Sequence, residues 1–173
     1  MPRLTSDPSI TVRSQGELFS IAMAMEKDSA ARYLAIAERM RGVGRSDLAA
    51  VFDTLTRIKL DHRDEAAAWA REAGGEVPEL AVAPSGVFSD EGIAHAAAEL
   101  VDAYRAYAVA VRNEERAFSF WSYMAARGVS PDIRKAAERM ARAKLEQAKA
   151  LRRERRAAFV LAGGSGRLGE SSR

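Results

Sequence analysis

The chain has 173 residues, of which 47% are hydrophobic, and its formal net charge at pH 7 is +3. This length and composition suit one domain with a sizeable core. The chain has no cysteine, which excludes disulfides, a thiolate nucleophile, zinc knuckles and cysteine-ligated iron–sulfur or rubredoxin-type centres. Any metal would therefore need carboxylate, imidazole or amide ligands.

Neither a membrane span nor a secretory signal is predicted. The longest run without a charged residue is much shorter than a membrane-spanning helix, and the N-terminus lacks the apolar stretch of a signal peptide. We therefore expect a soluble, cytoplasmic protein with no membrane partner.

The first half of the chain predicts two helices, because apolar residues recur at spacings of three and four and β-branched runs are rare. Helix A begins near Ser14, where residues 14–17 match a capping box, and ends near Arg41. Helix B follows Ser46 as its N-cap and ends at the glycine pair 74–75. The short connection between them predicts an antiparallel hairpin.

The second half predicts another hairpin. Helix C begins after the cap Ser89-Asp90 and runs to about Arg127, and helix D begins at Pro131 after a glycine stop. Residues 75–89 form a connection too long for a tight turn, so helices B and C can lie parallel. The predicted fold is all-α: two antiparallel helical hairpins joined by a long crossover, which is the topology of a ferritin-like four-helix bundle.

Three segments are predicted. Residues 1–13 form an N-terminal segment, residues 14–162 form the bundle, and residues 163–173 form a flexible tail rich in glycine and serine.

Charged residues lie on the inward stripes of the first three helices. The four-three spacing of apolar residues places Glu26 and then Tyr33 on the buried face of helix A. The same spacing turns Lys59 and His62 inward on helix B, and Glu114 inward on helix C. Two acids and one lysine are therefore expected in or beside the core.

Helix D offers two competing registers, Lys144 with Gln147 or Glu146 with Lys149. Glu146 shares its face with arginines, which is typical of a solvated surface, whereas Lys144 has apolar neighbours. Lys144 and Gln147 are therefore the predicted inward pair.

Taken in order, the inward residues read Glu, Lys-x-x-His, Glu, Lys-x-x-Gln. Over roughly residues 14–160 the chain resembles the rubrerythrin-like branch of the ferritin-like superfamily, whose pattern is a Glu on each of two helices and a Glu-x-x-His on each of the others. Glu26, His62 and Glu114 match that pattern. The positions that depart from it are Lys59, Lys144 and Gln147.

The resemblance implies a pair of iron ions, and the lysines argue against it. Exchanging two carboxylates for two ammonium groups makes the site four charge units more positive, which disfavours two bound cations. The leading hypothesis is that the lysines pair with the two glutamates and that no metal cofactor is bound. The alternative is a single metal, iron or another divalent ion, held by Glu26, His62 and Glu114, with a lysine displaced or deprotonated. In either arrangement Tyr33 is expected to lie next to the site residues without binding a metal itself.

The expected role is a non-catalytic interaction or scaffold protein, and the alternative is an iron-dependent oxidase or peroxidase, or an iron-handling protein. The resemblance implies a homodimer. Residues 134–156 are basic but lack interleaved aromatic residues, so nucleic acid is not the expected partner. The tail 163–173 resembles the cargo peptides that load ferritin-like proteins into encapsulin shells, which makes such a shell an alternative partner.

Overall fold

Helices make up all the regular structure of the described chain. A computed structural model describes residues 10–79 and 83–165, with side chains through residue 163, and shows no strand in those ranges. The all-α prediction is confirmed. The elements are α1 (Gln15–Gly42), α2 (Ser46–Ala73), a 3₁₀ turn (Ala98–Leu100), α3 (Ala103–Arg127) and α4 (Pro131–Ser165).

The helices form two antiparallel hairpins, α1 with α2 and α3 with α4. At one end of the bundle Gln15 donates a hydrogen bond to the carbonyl of Asp132, so α1 and α4 start side by side. At the other end Arg45, just before α2, donates to the carbonyls of Ala98 and Val101, just before α3. The long crossover therefore leaves α2 and α3 parallel, and the predicted topology is confirmed. None of the described helices is both long and apolar enough to cross a membrane.

Two of the predicted helix starts are formed by the expected caps. The hydroxyl of Ser14 accepts a hydrogen bond from the N–H of Glu17 at 3.1 Å, and the Glu17 carboxylate accepts from the N–H of Arg13 at 2.7 Å. At the start of α4 the hydroxyl of Ser130 accepts from the N–H of Ile133 at 3.3 Å. Both caps satisfy N–H groups that have no partner within the helix.

The start of α2 differs from the prediction by one residue. Ser46 is the first helical residue and not the N-cap, a position that Arg45 occupies without a capping side chain. Arg45 is held there by its guanidinium, which pairs with the Asp47 carboxylate at 3.0 Å and reaches the crossover. The anchoring of this side chain, and not a cap hydrogen bond, sets where α2 begins.

The start of α3 was predicted about a dozen residues too early. The carboxylate of Asp90 does accept from the N–H of Gly92 at 2.9 Å, as a cap would. However, Glu91 and Gly92 have φ values of 51° and 82°, in the left-handed region, so the chain turns and does not continue as an α-helix. The effective cap is Asp102, whose side chain accepts from the N–H of Arg105 at 2.7 Å.

The outer boundaries of the bundle are only partly described. Helix α4 continues to Ser165, three residues into the predicted tail, and residues 166–173 lie outside the described range. The predicted encapsulin-type signal falls largely on those residues. Of the N-terminal segment, residues 10–13 are described, and Val12 is buried in the core.

The core consists of two apolar clusters separated by one polar layer. One cluster includes Leu18, Trp121 and Met140, and the other includes Phe52, Val109 and Leu151. Along every helix the charged position predicted to face inward falls between the residues of the first cluster and those of the second. The fold therefore places the candidate site at the centre of the bundle.

Gly16 allows the crossover to approach α1 closely. A Cβ at this position would overlap the backbone carbonyl oxygen of Glu76, which is not the end of a flexible side chain. We expect Gly16→Ala to lower the free energy of unfolding by about 1–3 kcal/mol, because the backbone must shift. Gly42→Ala is the matched control, since nothing lies within 4 Å of its Cβ; it should stabilise by up to about 1 kcal/mol. Urea denaturation of both variants tests this, and equal effects would contradict it.

Candidate functional site

Each of the four helices contributes one charged side chain to the polar layer. Glu26 of α1, Lys59 of α2, Glu114 of α3 and Lys144 of α4 are 3%, 5%, 0% and 1% exposed. We call these four residues the buried quartet. Ionised side chains are rarely so buried unless they are paired, so their contacts decide what the site is.

The buried quartet is a ring of alternating charge. The Lys59 ammonium donates to Glu114 Oε1 and lies 3.3 Å from Glu26 Oε2. The Lys144 ammonium donates to Glu26 Oε1 and lies 3.5 Å from Glu114 Oε2. Each lysine therefore contacts both carboxylates, and two positive charges balance two negative ones.

The strongest contacts of the quartet run between the hairpins and not within them. Lys59 belongs to the first hairpin and donates to Glu114 of the second, while Lys144 of the second donates to Glu26 of the first. The two halves are thus joined at the centre by two buried charge-assisted hydrogen bonds, a stronger class than neutral ones. Removing any one member breaks a link between the hairpins.

The pKa values of Glu26, Glu114 and Lys59 move in the direction that favours ion pairs. Burial alone raises the pKa of Glu26, but attraction to Lys144 and Lys59 outweighs it and holds that pKa well below the usual 4.5. The pKa of Glu114 is also lowered, again against burial. Burial lowers the pKa of Lys59, but the two glutamates raise it above the usual 10.5. Both acids and Lys59 are therefore charged at neutral pH.

His62 and Gln147 occupy equivalent points of the two halves but have different environments. Gln147 Oε1 accepts a hydrogen bond from the Lys144 ammonium at 3.0 Å. His62 is half-buried, and its Nδ1 lies 3.8 Å from Glu26 Oε2, beyond hydrogen-bond distance. The structure thus brings all six predicted positions together, and the choice of Lys144 and Gln147 over Glu146 agrees with the exposed position of Glu146.

Three buried polar atoms in this layer have no hydrogen-bond partner. Within the described residues the buried atoms Glu26 Oε2, His62 Nδ1 and Glu114 Oε2 are unsatisfied, although both oxygens lie within ion-pair distance of a lysine. In the same part of the chain no three histidine, aspartate or glutamate side chains converge as a set that could hold a metal ion. The two lysine ammonium groups lie between the carboxylates.

Tyr33 lies beside the quartet and is held by Asn113, a residue that the sequence reasoning missed. Asn113 Nδ2 donates to the Tyr33 hydroxyl at 3.1 Å, and Asn113 Oδ1 accepts from the N–H of Ser89 at 3.0 Å. Burial is the main cause that raises the pKa of Tyr33 to about 12. Asn113 directly precedes Glu114 on α3, and a polar residue beside an inward acid was the available signal.

The quartet should give the protein a stability plateau between acid and alkaline limits. The lowered pKa values of Glu26 and Glu114 contribute stability that is present above pH 4.5 and lost as the pH falls further. The raised pKa of Lys59 contributes stability that is present below pH 10.5 and lost as the pH rises further. Urea unfolding measured across this range checks the prediction. A variant with all four quartet residues made apolar is the control and should show smaller losses at both limits; unchanged pH dependence in it would contradict the assignment.

One solved structure supports the fold independently. The chain is similar to an uncharacterized conserved protein from Magnetospirillum magnetotacticum, with a TM-score of 0.59 and 24% sequence identity over 84% of this chain and 96% of the other. At that identity the likeness supports the shared helical-bundle fold alone. No protein-family model and no curated protein sequence matches the chain.

Proposed function

We propose that this protein is a metal-free ferritin-like bundle, in which the buried quartet occupies the place where rubrerythrin-like proteins bind their metal ions. We further propose that the protein acts as a non-catalytic interaction or scaffold protein. The observation that carries the proposal is the position of each lysine ammonium in contact with both carboxylates. The protein's own cations thereby take the electrostatic role of bound metal.

The donor set does not suit a pair of iron ions. Such a pair needs bridging carboxylates to balance at least four positive charges, whereas the quartet offers two carboxylates already balanced by two ammonium groups. The raised pKa of Lys59 keeps that side chain protonated, so it has no lone pair to offer a metal. The residues of the quartet therefore do not fit a pair of bound metal ions.

The same charges argue against acid–base catalysis. A general acid or base works best when its pKa lies near the working pH. Glu26 and Glu114 have lowered pKa values and Lys59 has a raised one, so none of the three exchanges a proton readily near pH 7. A structural role for the quartet, joining the hairpins of a scaffold, fits these properties. A cytoplasmic homodimer remains part of the proposal.

Elemental analysis tests the proposal directly. Protein grown with iron, zinc and manganese in the medium should contain well below one bound ion per chain after removal of loosely bound metal. A content close to one or two ions per chain would overturn the metal-free assignment.

The second candidate is an iron-binding oxidase, peroxidase or iron-handling protein that uses Glu26, His62 and Glu114. It is favoured by one observation: within the described residues, the atoms lacking a hydrogen-bond partner include one from each of these three residues. A ferroxidase assay separates the candidates. Iron-dependent turnover that is lost in His62→Ala would favour the second, and its absence in the metal-supplemented native protein would favour the first.

A further inference from the structure

A small cavity lies beside the buried quartet. It has room of about 20 Å³ for a water-sized molecule, and Glu26, Lys59 and Asn113 contribute polar groups to its lining. A cavity needs roughly 10–15 Å³ of space open to a water-sized sphere to hold one water. The space is therefore large enough for a single small molecule and too small for a larger ligand.

Glu26, one of the residues that line the cavity, carries an acceptor without a hydrogen bond. Glu26 is 3% exposed, and its Oε2 has no hydrogen-bond partner. The neighbouring ammonium of Lys59 is 3.3 Å from that oxygen without forming a hydrogen bond to it, and it donates to Glu114. A buried carboxylate oxygen without a hydrogen bond is unfavourable, so the site has an energetic demand for one donor.

We propose that this cavity is a binding site for one neutral, water-sized molecule that both donates and accepts hydrogen bonds, and that water itself fills it in the resting protein. The molecule donates to Glu26 Oε2. It accepts from the amide of Asn113, which has a second N–H besides the one bonded to Tyr33. This inference rests on the metal-free quartet of the proposed function.

The charges around the cavity select for a neutral occupant. Lys59 repels a cation, while Glu26 and the nearby Asp28 repel an anion. The rest of the lining is largely apolar and includes Met25, Val87 and Ala117, with Ser29 as one further polar residue that carries no charge. A neutral molecule avoids the desolvation cost that a third buried charge would impose.

The crossover forms one wall of the cavity. Val87 and Phe88 belong to its wall, and Phe88 packs edge-on against Tyr33 with ring centroids 5.2 Å apart. The next residue, Ser89, donates its N–H to Asn113 Oδ1 at 3.0 Å. Because Tyr33 and Asn113 anchor this wall, its shape does not depend on an occupant.

A high-resolution crystal structure of the full chain tests the site, with metal content measured on the same preparation. We expect an isolated density peak at hydrogen-bond distance from Glu26 Oε2, without anomalous signal. A metal signal at that position would overturn the proposed function together with this site. If the preparation is metal-free and the cavity shows no peak, the water site is overturned and the proposed function is not. The same conclusion follows if xenon under pressure occupies the cavity, because xenon enters dry apolar cavities.

A cavity-filling variant gives an independent test, in which the direction of the change in melting temperature decides. Ala117 is 5% exposed on the cavity wall, so Ala117→Val should expel the water, leave Glu26 Oε2 unsatisfied and lower the melting temperature by several degrees. Ala157→Val, at an exposed position of α4, is the control for the helix propensity of valine. A melting temperature for Ala117→Val equal to or above that of the control would show that the cavity is dry, and the proposal would fail.

Discussion

Replacing Lys144 alone with methionine is expected to lower the free energy of unfolding by about 3–5 kcal/mol, because a buried charge is left without its partner. Lys144 is 1% exposed and donates to Glu26 while lying 3.5 Å from Glu114. Without it, two buried carboxylates face only Lys59. Urea denaturation at pH 7 measures the loss.

Two comparisons separate the pairing from the mere loss of a lysine. Lys149→Met removes an exposed lysine of the same helix, paired with Glu146 at 2.7 Å, and should change stability by less than about 1 kcal/mol. Converting all four quartet residues to leucine or methionine removes every buried charge at once and should recover most or all of the lost stability. If Lys144→Met costs no more than Lys149→Met, the buried quartet does not hold the hairpins together.

The sequence predicts which residues face inward because helical periodicity fixes direction. Glu26, Lys59 and Glu114 each interrupt a stripe of apolar residues at spacings of three and four, so their burial follows from the register of neighbours that must be buried. The same reasoning chose Lys144 over Glu146 on the most polar helix. Local pattern was sufficient for these placements, since each depends only on its own helix.

The pairing inside the quartet depends on packing between helices and was not available from the pattern. The sequence indicated that lysines and glutamates would meet, but not that Lys59 donates to Glu114 and Lys144 to Glu26. Nor did it show that one imidazole would lack a hydrogen bond while Gln147, at the equivalent point, accepts one. These outcomes depend on side-chain reach across the centre of the bundle.

The crossover was the least predictable segment because two local signals conflict there. Asp90 caps a turn as predicted, but the left-handed conformation of Glu91 and Gly92 diverts the chain before a helix can extend. The glycine was visible in the sequence, whereas the positive φ of a glutamate was not. Other residues of the crossover, Val87 and Phe88 among them, form part of the cavity wall, so the site that helical periodicity left unpredicted depends on this segment.

Placing carboxylates at the two buried lysine positions is expected to raise the affinity for metal ions. In the double variant Lys59→Glu, Lys144→Glu the centre would hold four buried carboxylates in place of a neutral quartet. Without metal these acids repel one another, so the apoprotein should unfold far more readily at neutral pH than the native protein. Divalent iron, manganese or zinc should reverse this loss of stability. A ligand that binds only the folded state stabilises it by about 2.7 kcal/mol when its concentration is 100 times its Kd.

The measurements are metal content and melting temperature with and without each ion. About two ions per chain are expected by analogy with four-helix carboxylate sites, and adding Gln147→His should tighten binding further by completing the second Glu-x-x-His pair. The control is Lys59→Gln, Lys144→Gln, which removes the same two cations without supplying carboxylates and should bind no pair of ions. If the double glutamate variant binds no more metal than this control, the lysines are not what keeps metal out, and the proposed exchange of metal for protein cations is wrong.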